Sequence, residues 1–331
     1  IISLVSLSFQ GLNQGVDFVG GRSYTVRFDQ IVNPTEIQTN LSTGLGSAQV
    51  KTFGEENQLK ITKFLIFLTT ILATKLIMKN HIFLFSHQDD EIAIFKTIKD
   101  SINTNKNVLI IYLTNGNISK SDNTYFILKR ENESKRVLAK LGVSSHNILF
   151  MGKKLNIKSY ELLNHLEKAY EELANTINDV DGETSIYTHA WEGGNVDHDS
   201  SYVLALKLMK NNPNITNGFQ FPFYNSYKIP FNFYRVFCPI KENGQSINTR
   251  ISNKEKIQFI KFLFNYVSQL KIWIGLYPFI IFKILMNNYN YLQKIDKNTQ
   301  LQKPHKNSLW YEKKNFIKFD KIIVLFDSFL G

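Results

Sequence analysis

Two clusters of histidine and carboxylate side chains give this 331-residue sequence its chemistry. The clusters are residues 86–91 (SHQDDE) and residues 189–199 (HAWEGGNVDHD). An open zinc site needs three nitrogen or oxygen ligands, together with a base that is not itself bound to the metal. His87, Asp90 and His198 can supply three such ligands, which leaves Asp89 free to take a proton from water. The clusters therefore predict a site for Zn²⁺ or another divalent ion such as Fe²⁺.

Each cluster taken alone has a simpler explanation. Acidic residues such as 89–91 are often found in the first turn of a helix, where the helix dipole favours negative charge. The pair Asp197-His198 can likewise be a helix cap. We favour the metal site because both clusters follow predicted buried strands. Gly193 and Gly194 also let the second cluster approach the first without side-chain bulk.

Buried strands and helices alternate through the middle of the chain. The predicted strands are 81–86, 107–114, 147–151 and 185–189, and the predicted helices are 91–103, 123–141, 159–178 and 198–211. Continuous apolar strands separated by helices are typical of a parallel sheet covered on both faces. Such sheets bind ligands at the carboxyl ends of their strands, near the point where strand order reverses. The sequence thus predicts a Rossmann-like three-layer α/β/α fold with a mostly parallel sheet.

The predicted organisation has three parts. Residues 78–215 form the Rossmann-like core, and residues 216–331 form a C-terminal extension that completes the domain, with aromatic-rich strands and a helical stretch over 253–292. Residues 1–77 are an uncertain N-terminal segment, with one extended stretch at 24–28 and an apolar run at 64–74 that is too short for a membrane helix. Met78 directly precedes a strong strand, so we interpret it as the native start and the earlier residues as lying outside the native protein.

Composition narrows the classes of partner. A single cysteine, Cys238, excludes an intrachain disulfide framework. The formal net charge is +11, and residues 246–331 hold fourteen Lys and Arg against five Asp and Glu. No nucleic-acid-binding motif accompanies this charge, so we expect no nucleic-acid partner. We expect a cytoplasmic protein, with peripheral membrane contact through the basic C-terminal part as a second option, and the sequence does not specify an oligomeric state.

The two clusters resemble the signatures of the zinc-dependent N-acetylglucosaminyl deacetylases, the PIG-L or LmbE-like family. Its usual motifs are Ala/Pro-His-Pro-Asp-Asp-Glu and His-Pro-Asp-His. The resemblance covers roughly residues 80–210, including 113–116 (LTNG) after the second strand and Arg130 in the following helix. It implies a zinc-dependent hydrolase that removes an acetyl group from an N-acetylated amino sugar or glycoconjugate.

Carried onto this sequence, the resemblance implies a role for each matching residue. His87, Asp90 and His198 bind zinc. Asp89 is the general base, and Asp197 orients or tunes the adjacent groups. Arg130 matches a position that contacts the sugar, and its alternative role is a helix-face charge paired with Glu133 or Ser134.

Three residues depart from the family pattern. Gln88 and Val196 replace prolines, and Asn195 stands where the second motif begins with histidine. Asparagine can donate a hydrogen bond to an oxyanion but cannot shuttle a proton. Either His189 takes over the acid role, Asp89 returns its own proton to the leaving amine, or the enzyme is slowed.

The function predicted from the sequence is therefore N-deacetylation of a sugar. One alternative is an amidase or ester deacylase on the same scaffold. Another is a non-catalytic protein, associated with sugars or a membrane, in which the metal only stabilises the fold. The aromatic patch at residues 310–312 (WYE) either packs the C-terminal tail or lines a sugar cleft.

Overall fold

The computed structural model describes residues 21–45, 48–64, 79–119, 123–229, 233–270 and 275–331. The chain divides into two compact units, residues 1–77 and residues 78–331. In the described part of the first unit, three antiparallel strands in the order β1-β3-β2 accompany one helix. The elements are β1 (Gly21–Arg27), α1 (Pro34–Leu45), β2 (Ala48–Phe53) and β3 (Glu55–Phe64).

Only β1 of this unit corresponds to an element predicted from the sequence, the extended stretch at 24–28. The paired strand β3 and its neighbour β2 were not predicted, because polar residues interrupt their apolar alternation (EENQLKITKF in β3). The apolar run from residue 65 onward, together with Met78, lies outside the described residues. That residues 1–77 lie outside the native protein stays a prediction.

The second unit alternates strands and helices before ending in a mixed region. Its first part contains β4 (Lys79–Phe85), α2 (Phe95–Asn103), β5 (Asn107–Tyr112), α3 (Thr124–Leu141), β6 (Ile148–Leu149), α4 (Met151–Lys154), α5 (Leu166–Asn178), β7 (Glu183–His189) and α6 (Val196–Asn211). Its second part contains β8 (Ile215–Phe221), β9 (Tyr224–Asn225), β10 (Arg235–Val236), β11 (Ser246–Arg250), α7 (Asn253–Leu263), α8 (Tyr277–Met286), β12 (Tyr289–Lys294), α9 (Trp310–Lys313) and α10 (Phe319–Leu330).

Seven of these strands form one sheet in the order β11-β12-β8-β7-β4-β5-β6. The five strands from β8 to β6 are parallel, and β12 and β11 extend the sheet antiparallel at one edge. The chain runs outward from β4 through β5 and β6, and then returns to the other side of β4 with β7. Strand order therefore reverses beside β4, where the carboxyl ends of β4 and β7 lie next to each other.

Helices cover both faces of this sheet because the strand side chains alternate between two apolar cores. Ile82 and Leu84 of β4 face a core that includes residues of α5, α6 and α10. Phe83 and Phe85 face a second core that includes residues of α2, α3, α7 and α8. The predicted three-layer α/β/α fold with a mostly parallel sheet is confirmed.

The structure corrects three predicted elements. The third strand covers only 148–149, and Met151 begins helix α4 instead of ending the strand. The predicted helix over 91–103 begins as a 3-10 turn at 90–93 before α2 starts at Phe95. The helical prediction over 253–292 is wrong at its end, because residues from Tyr289 form β12, which pairs with β11 and β8.

Within the predicted helical stretch, the apolar residues 277–285 lie in α8. None of the helices in the described ranges is long and apolar enough to cross a membrane. In α8, Ile280 and Ile284 are buried against the sheet, so one face of the helix belongs to the second core.

Candidate metal centre

The two clusters meet where the sheet topology predicts a site. The first cluster begins directly after β4, and the second begins at the last residue of β7, which is hydrogen-bonded in parallel to β4. In the second cluster, Asn195 caps α6 through a hydrogen bond that its side-chain oxygen accepts from the Asp197 N–H at 2.9 Å. Helix α6 therefore starts with Asp197 and His198 in its first turn, aimed at the end of β4.

Three of the predicted ligands come together in one buried group. His87, Asp90 and His198 each offer one ligand atom, and these atoms all lie within 4.8 Å of one another. His87 Nδ1 lies 3.5 Å from Asp90 Oδ2, and His198 Nε2 lies 3.4 Å from Asp90 Oδ1. Two imidazoles and one carboxylate form a donor set that fits Zn²⁺ and also suits Fe²⁺.

Asp197 fixes the ring of His87. Its Oδ2 lies 2.9 Å from His87 Nε2, and the carboxylate also accepts the backbone N–H groups of Tyr160 and Leu162 at 2.5 and 3.2 Å. A carboxylate bonded to the far nitrogen of a ligand histidine orients the ring and raises its basicity. Because Nε2 is engaged in this way, Nδ1 is the nitrogen that His87 has left for a metal.

One carboxylate oxygen of Asp90 is fixed by contacts with His87 and His189. Its Oδ2 accepts the His87 backbone N–H at 2.6 Å and lies 3.0 Å from His189 Nε2, so Oδ1 is the oxygen left to face His198. Burial raises the pKa of Asp90, but His189, His198 and His87 outweigh burial and hold it well below its ordinary value. The side chain is therefore a carboxylate, as a metal ligand must be.

His189 contacts Asp90 Oδ2 and is not among the described residues that line the cavity. It is fully buried, and its ring stacks on His198 with centroids 3.7 Å apart. Burial and the neighbouring His198 lower the pKa of His189 to about 3. The acid role that the sequence left open for His189 stays a prediction, and the structure places its Nε2 against Asp90 Oδ2. Its contacts are those of a positioning residue.

The pKa values of the two ligand histidines are shifted in opposite directions. Burial lowers the pKa of His198, which favours the neutral imidazole that binds metals. Burial also opposes charge on His87, but the Asp90 and Asp197 carboxylates raise its pKa to about 10. A metal ion that binds through His87 must therefore displace a proton.

Asp89 lies beside this group in an unusual backbone conformation. Its φ of 144° is rare for a non-glycine residue, and such strain is a recurrent feature of functional sites. The Asp89 N–H donates to Glu91 Oε2 at 3.0 Å, and Arg130 Nη2 donates to Asp89 Oδ1 at 2.9 Å. Burial, opposed by Arg130 and reinforced by Asp90, raises the pKa of Asp89 to about 7. A carboxylate with a pKa near neutrality suits a general base.

Arg130 reaches this site from α3 and lines the cavity. Its guanidinium donates to the backbone carbonyls of Gly116 and Gln88, each at 2.8 Å, in addition to Asp89. The alternative pairing with Glu133 is not formed, because that carboxylate accepts from the backbone N–H and hydroxyl of Ser268. Arg130 thus links the loops that follow β4 and β5.

A cavity of about 270 Å³ opens above the ligand group. Both polar and aromatic side chains line it. The polar set is His87, Asp89, Asp90, Arg130, Ser159, Asn195, His198 and Gln269, and the aromatic set is Tyr160, Phe223, Tyr224, Tyr234 and Trp310. Of the patch at 310–312, Trp310 lines the cavity, whereas Tyr311 is buried in the first core. The cavity therefore combines metal-binding side chains with aromatic side chains that are suited to pack against an organic ring.

Sequence reasoning missed Tyr160, Tyr224 and Tyr234 as cavity residues. Tyr160 follows the short α4 and enters through its backbone bond to Asp197. Tyr224 and Tyr234 lie on or beside the strand pair β9-β10. No spacing or motif marks these three tyrosines. Tyr160 lies in the predicted core, whereas Tyr224 and Tyr234 lie in the C-terminal extension, and only folding brings all three to the clusters.

Comparison with known families identifies the segment that carries the site. Residues 82–209 match the model of the PIG-L family, described as GlcNAc-PI de-N-acetylase. The predicted resemblance to this family is therefore confirmed over residues 82–209. A second family model, the SecD/SecF GG motif, matches residues 5–30 in the first unit. None of the curated proteins matches the chain.

Several solved structures are similar to this chain at low identity. The zinc-inhibited form of teicoplanin deacetylase Orf2 is 13% identical, with 65% of this chain and 97% of that chain covered and a TM-score of 0.49. The N,N'-diacetylchitobiose deacetylase from Pyrococcus horikoshii is 16% identical, with 66% and 84% covered and a TM-score of 0.45. A conserved protein from Thermus thermophilus is 14% identical, with 69% and 99% covered and a TM-score of 0.46.

Proposed function

We propose that this protein is a metal-dependent N-deacetylase that hydrolyses the acetamido group of an N-acetylated amino sugar or glycoconjugate. The observation that carries the proposal is that Asp89 lies beside the ligand group of His87, Asp90 and His198, and that all four residues line one cavity. The match to the PIG-L family over residues 82–209 supports the same reaction, because that family is described by a de-N-acetylation.

The three ligands would hold a divalent ion, and Zn²⁺ or Fe²⁺ fits the donor set. Such an ion supplies Lewis acidity, which lowers the pKa of water and polarises an amide carbonyl. The chain itself prepares the ligands: Asp197 holds the His87 ring, and the His87 backbone N–H and His189 hold Asp90. This second layer of contacts keeps one nitrogen of His87 and one oxygen of Asp90 directed at a common point.

Asp89 moves the proton. A water molecule adds to the amide carbonyl while Asp89 accepts one of its protons, and Asp89 then gives that proton to the nitrogen as the C–N bond breaks. The products are acetate and the free amino sugar. Arg130 keeps the Asp89 carboxylate in place through the 2.9 Å bond to Oδ1. Asp89 thus serves as both base and acid. Asn195 cannot transfer a proton, and Nε2 of the buried His189 contacts Asp90.

The cavity lining supports a sugar as substrate. Tyr160, Tyr234 and Trp310 add aromatic side chains to the cavity lining, and Tyr160 stacks on Phe316 with ring centroids 5.3 Å apart. Small-molecule sites of this kind combine apolar contact area with a few polar groups that fix orientation. The acetamido group would lie beside the ligand group and Asp89, while the sugar ring packs against aromatic side chains of the lining.

The test is a screen of purified, zinc-loaded protein against N-acetylated monosaccharides, nucleotide sugars and lipid-linked sugars. Loss of one acetyl group is followed by mass spectrometry, and released acetate is quantified separately. The proposal expects acetate from at least one N-acetylated sugar, and the control variant Asp90→Ala should release none. Hydrolysis of acyl esters or unrelated amides alone would favour the alternative deacylase, and full metal binding with no hydrolysis would favour the non-catalytic protein.

A further inference from the structure

We propose that Tyr224 is a catalytic residue whose hydroxyl, together with the side-chain amide of Asn195, binds the carbonyl oxygen of the substrate as it becomes an oxyanion. The inference rests on the proposed deacetylation. It assigns a function to the position where the family's second motif has lost its histidine, and it adds a residue from outside the matched segment 82–209.

The orientation of Asn195 is determined by its helix cap. Its amide oxygen accepts the Asp197 N–H at 2.9 Å, so the NH₂ group is the part of the side chain left for other partners. Asn195 is 6% exposed and lines the cavity beside His198. An amide held in this way presents a donor, as an oxyanion requires.

Tyr224 is an aromatic neighbour that can supply a second donor. Its ring lies edge-on to His198, with centroids 5.6 Å apart, and it lines the same cavity as His198 and Asn195. Its hydroxyl interacts with the side chain of Asn195. A tyrosine hydroxyl carries its proton at neutral pH, so it can donate a hydrogen bond.

The backbone around Tyr224 is built to hold this position. Glu192, which is fully buried, accepts the N–H groups of Phe223 and Tyr224 at 2.7 and 3.0 Å and the Asn225 side-chain amide at 2.8 Å. Gly194 packs so tightly against this segment that a Cβ there would collide with the Tyr224 carbonyl oxygen. The loop that carries Asn195 and the segment that carries Tyr224 are thus fastened together. Donors fixed before the reaction stabilise a developing charge without reorganisation.

The proposal is tested with Tyr224→Phe, which removes the hydroxyl and keeps the ring. Loss of one oxyanion donor is expected to lower kcat about 10²-fold while KM stays within about threefold. Zinc content by elemental analysis should equal that of the wild type, since no ligand is changed. Asn195→Asp keeps an oxygen for the helix cap and removes the amide donor, so it should also lower kcat. Tyr227→Phe, a buried tyrosine of the same segment outside the cavity lining, is the matched control.

A second readout separates catalysis from simple packing. A methylphosphonamide analogue of the N-acetylated sugar places tetrahedral oxygens where the oxyanion would form. In calorimetry, Tyr224→Phe should weaken binding of this analogue at least tenfold and leave binding of the free amino sugar unchanged. Equal weakening for both ligands would mean that Tyr224 only shapes the cavity, and this result would overturn the proposal.

The outcomes for activity are distinct. If the wild type releases acetate and Tyr224→Phe retains its full kcat, the role of Tyr224 is refuted and the deacetylase function stands. If the wild type releases no acetate from any N-acetylated sugar, the proposed function fails, and the oxyanion role fails with it.

Discussion

Replacing Asp89 by asparagine tests whether this carboxylate moves the proton or binds the metal. The substitution is nearly isosteric, and the structure indicates that the site can absorb it. Arg130 Nη2 can donate to an asparagine amide oxygen as it does to Asp89 Oδ1, now at 2.9 Å. The backbone φ of 144° is demanding for any side chain, but asparagine tolerates positive φ as well as aspartate does. We therefore expect a folded Asp89→Asn protein with unchanged metal content.

The expected cost falls on turnover. An asparagine amide has no basic oxygen, and a positioned general base contributes typically 10²–10⁴-fold, or about 2.7–5.4 kcal/mol of barrier at about 1.36 kcal/mol per tenfold. The upper half of this range is the better expectation, because Asp89 is proposed both to accept the proton of water and to return it to the amine. The structure places Nε2 of His189, the other group considered for the acid role, against Asp90, so we expect no compensation from it.

The assay measures acetate release and bound zinc on the same preparation, with Glu131→Gln as the control. Glu131 is a buried carboxylate next to Arg130 on α3, and it pairs with Lys153 at 3.2 Å outside the cavity lining. The control should keep activity close to that of the wild type. Loss of zinc in Asp89→Asn would make Asp89 a ligand, and unchanged turnover in an active wild type would remove it from the mechanism.

Three further predictions concern the ligands, the contacts that orient them and the aromatic lining of the cavity. Asp197→Ala should weaken zinc affinity about 10–100-fold in a chelator competition, because the His87 ring loses its orienting partner; an unchanged affinity would contradict that role. Because the pKa of His87 is raised to about 10, zinc affinity should increase as pH rises from 7 toward that value, with proton release measurable by calorimetry in buffers of different ionisation enthalpy. Trp310→Ala should raise KM several-fold at constant kcat if the aromatic side chains of the lining bind the sugar ring, and a fall in kcat alone would argue against it.

Much of the fold could be predicted because its signals are local. Apolar runs such as 107–112 and the helix ended by Gly142, which adopts the left-handed conformation with φ of 96°, are visible in the sequence itself. The wrong predictions lie where pairing between segments distant in sequence determines the secondary structure. Tyr289–Lys294 follows an apolar helix closely in sequence, but these residues extend the sheet because β8 leaves an edge to which they can bond.

The site divides in the same way. The two clusters could be found because each is contiguous, and their meeting follows from a parallel sheet in which β4 and β7 are neighbours. The orientation of each side chain could not be found, since it depends on which of its atoms is already bonded. The nitrogen of His87 bound to Asp197 and the position of His189 against Asp90 both arise from contacts across about one hundred residues of chain.

The departures from the family motifs acquire a common explanation from these contacts. Where the family pattern has prolines that stiffen the two loops, this chain has Gln88 and Val196. The Gln88 amide donates to the Thr114 carbonyl oxygen at 2.9 Å, which fastens the first loop to the end of β5. In the second loop the cap formed by Asn195 and the tight packing at Gly194 do the same work. Side-chain hydrogen bonds thus replace ring rigidity, and the strained backbone at Asp89 is held by bonds on both of its sides.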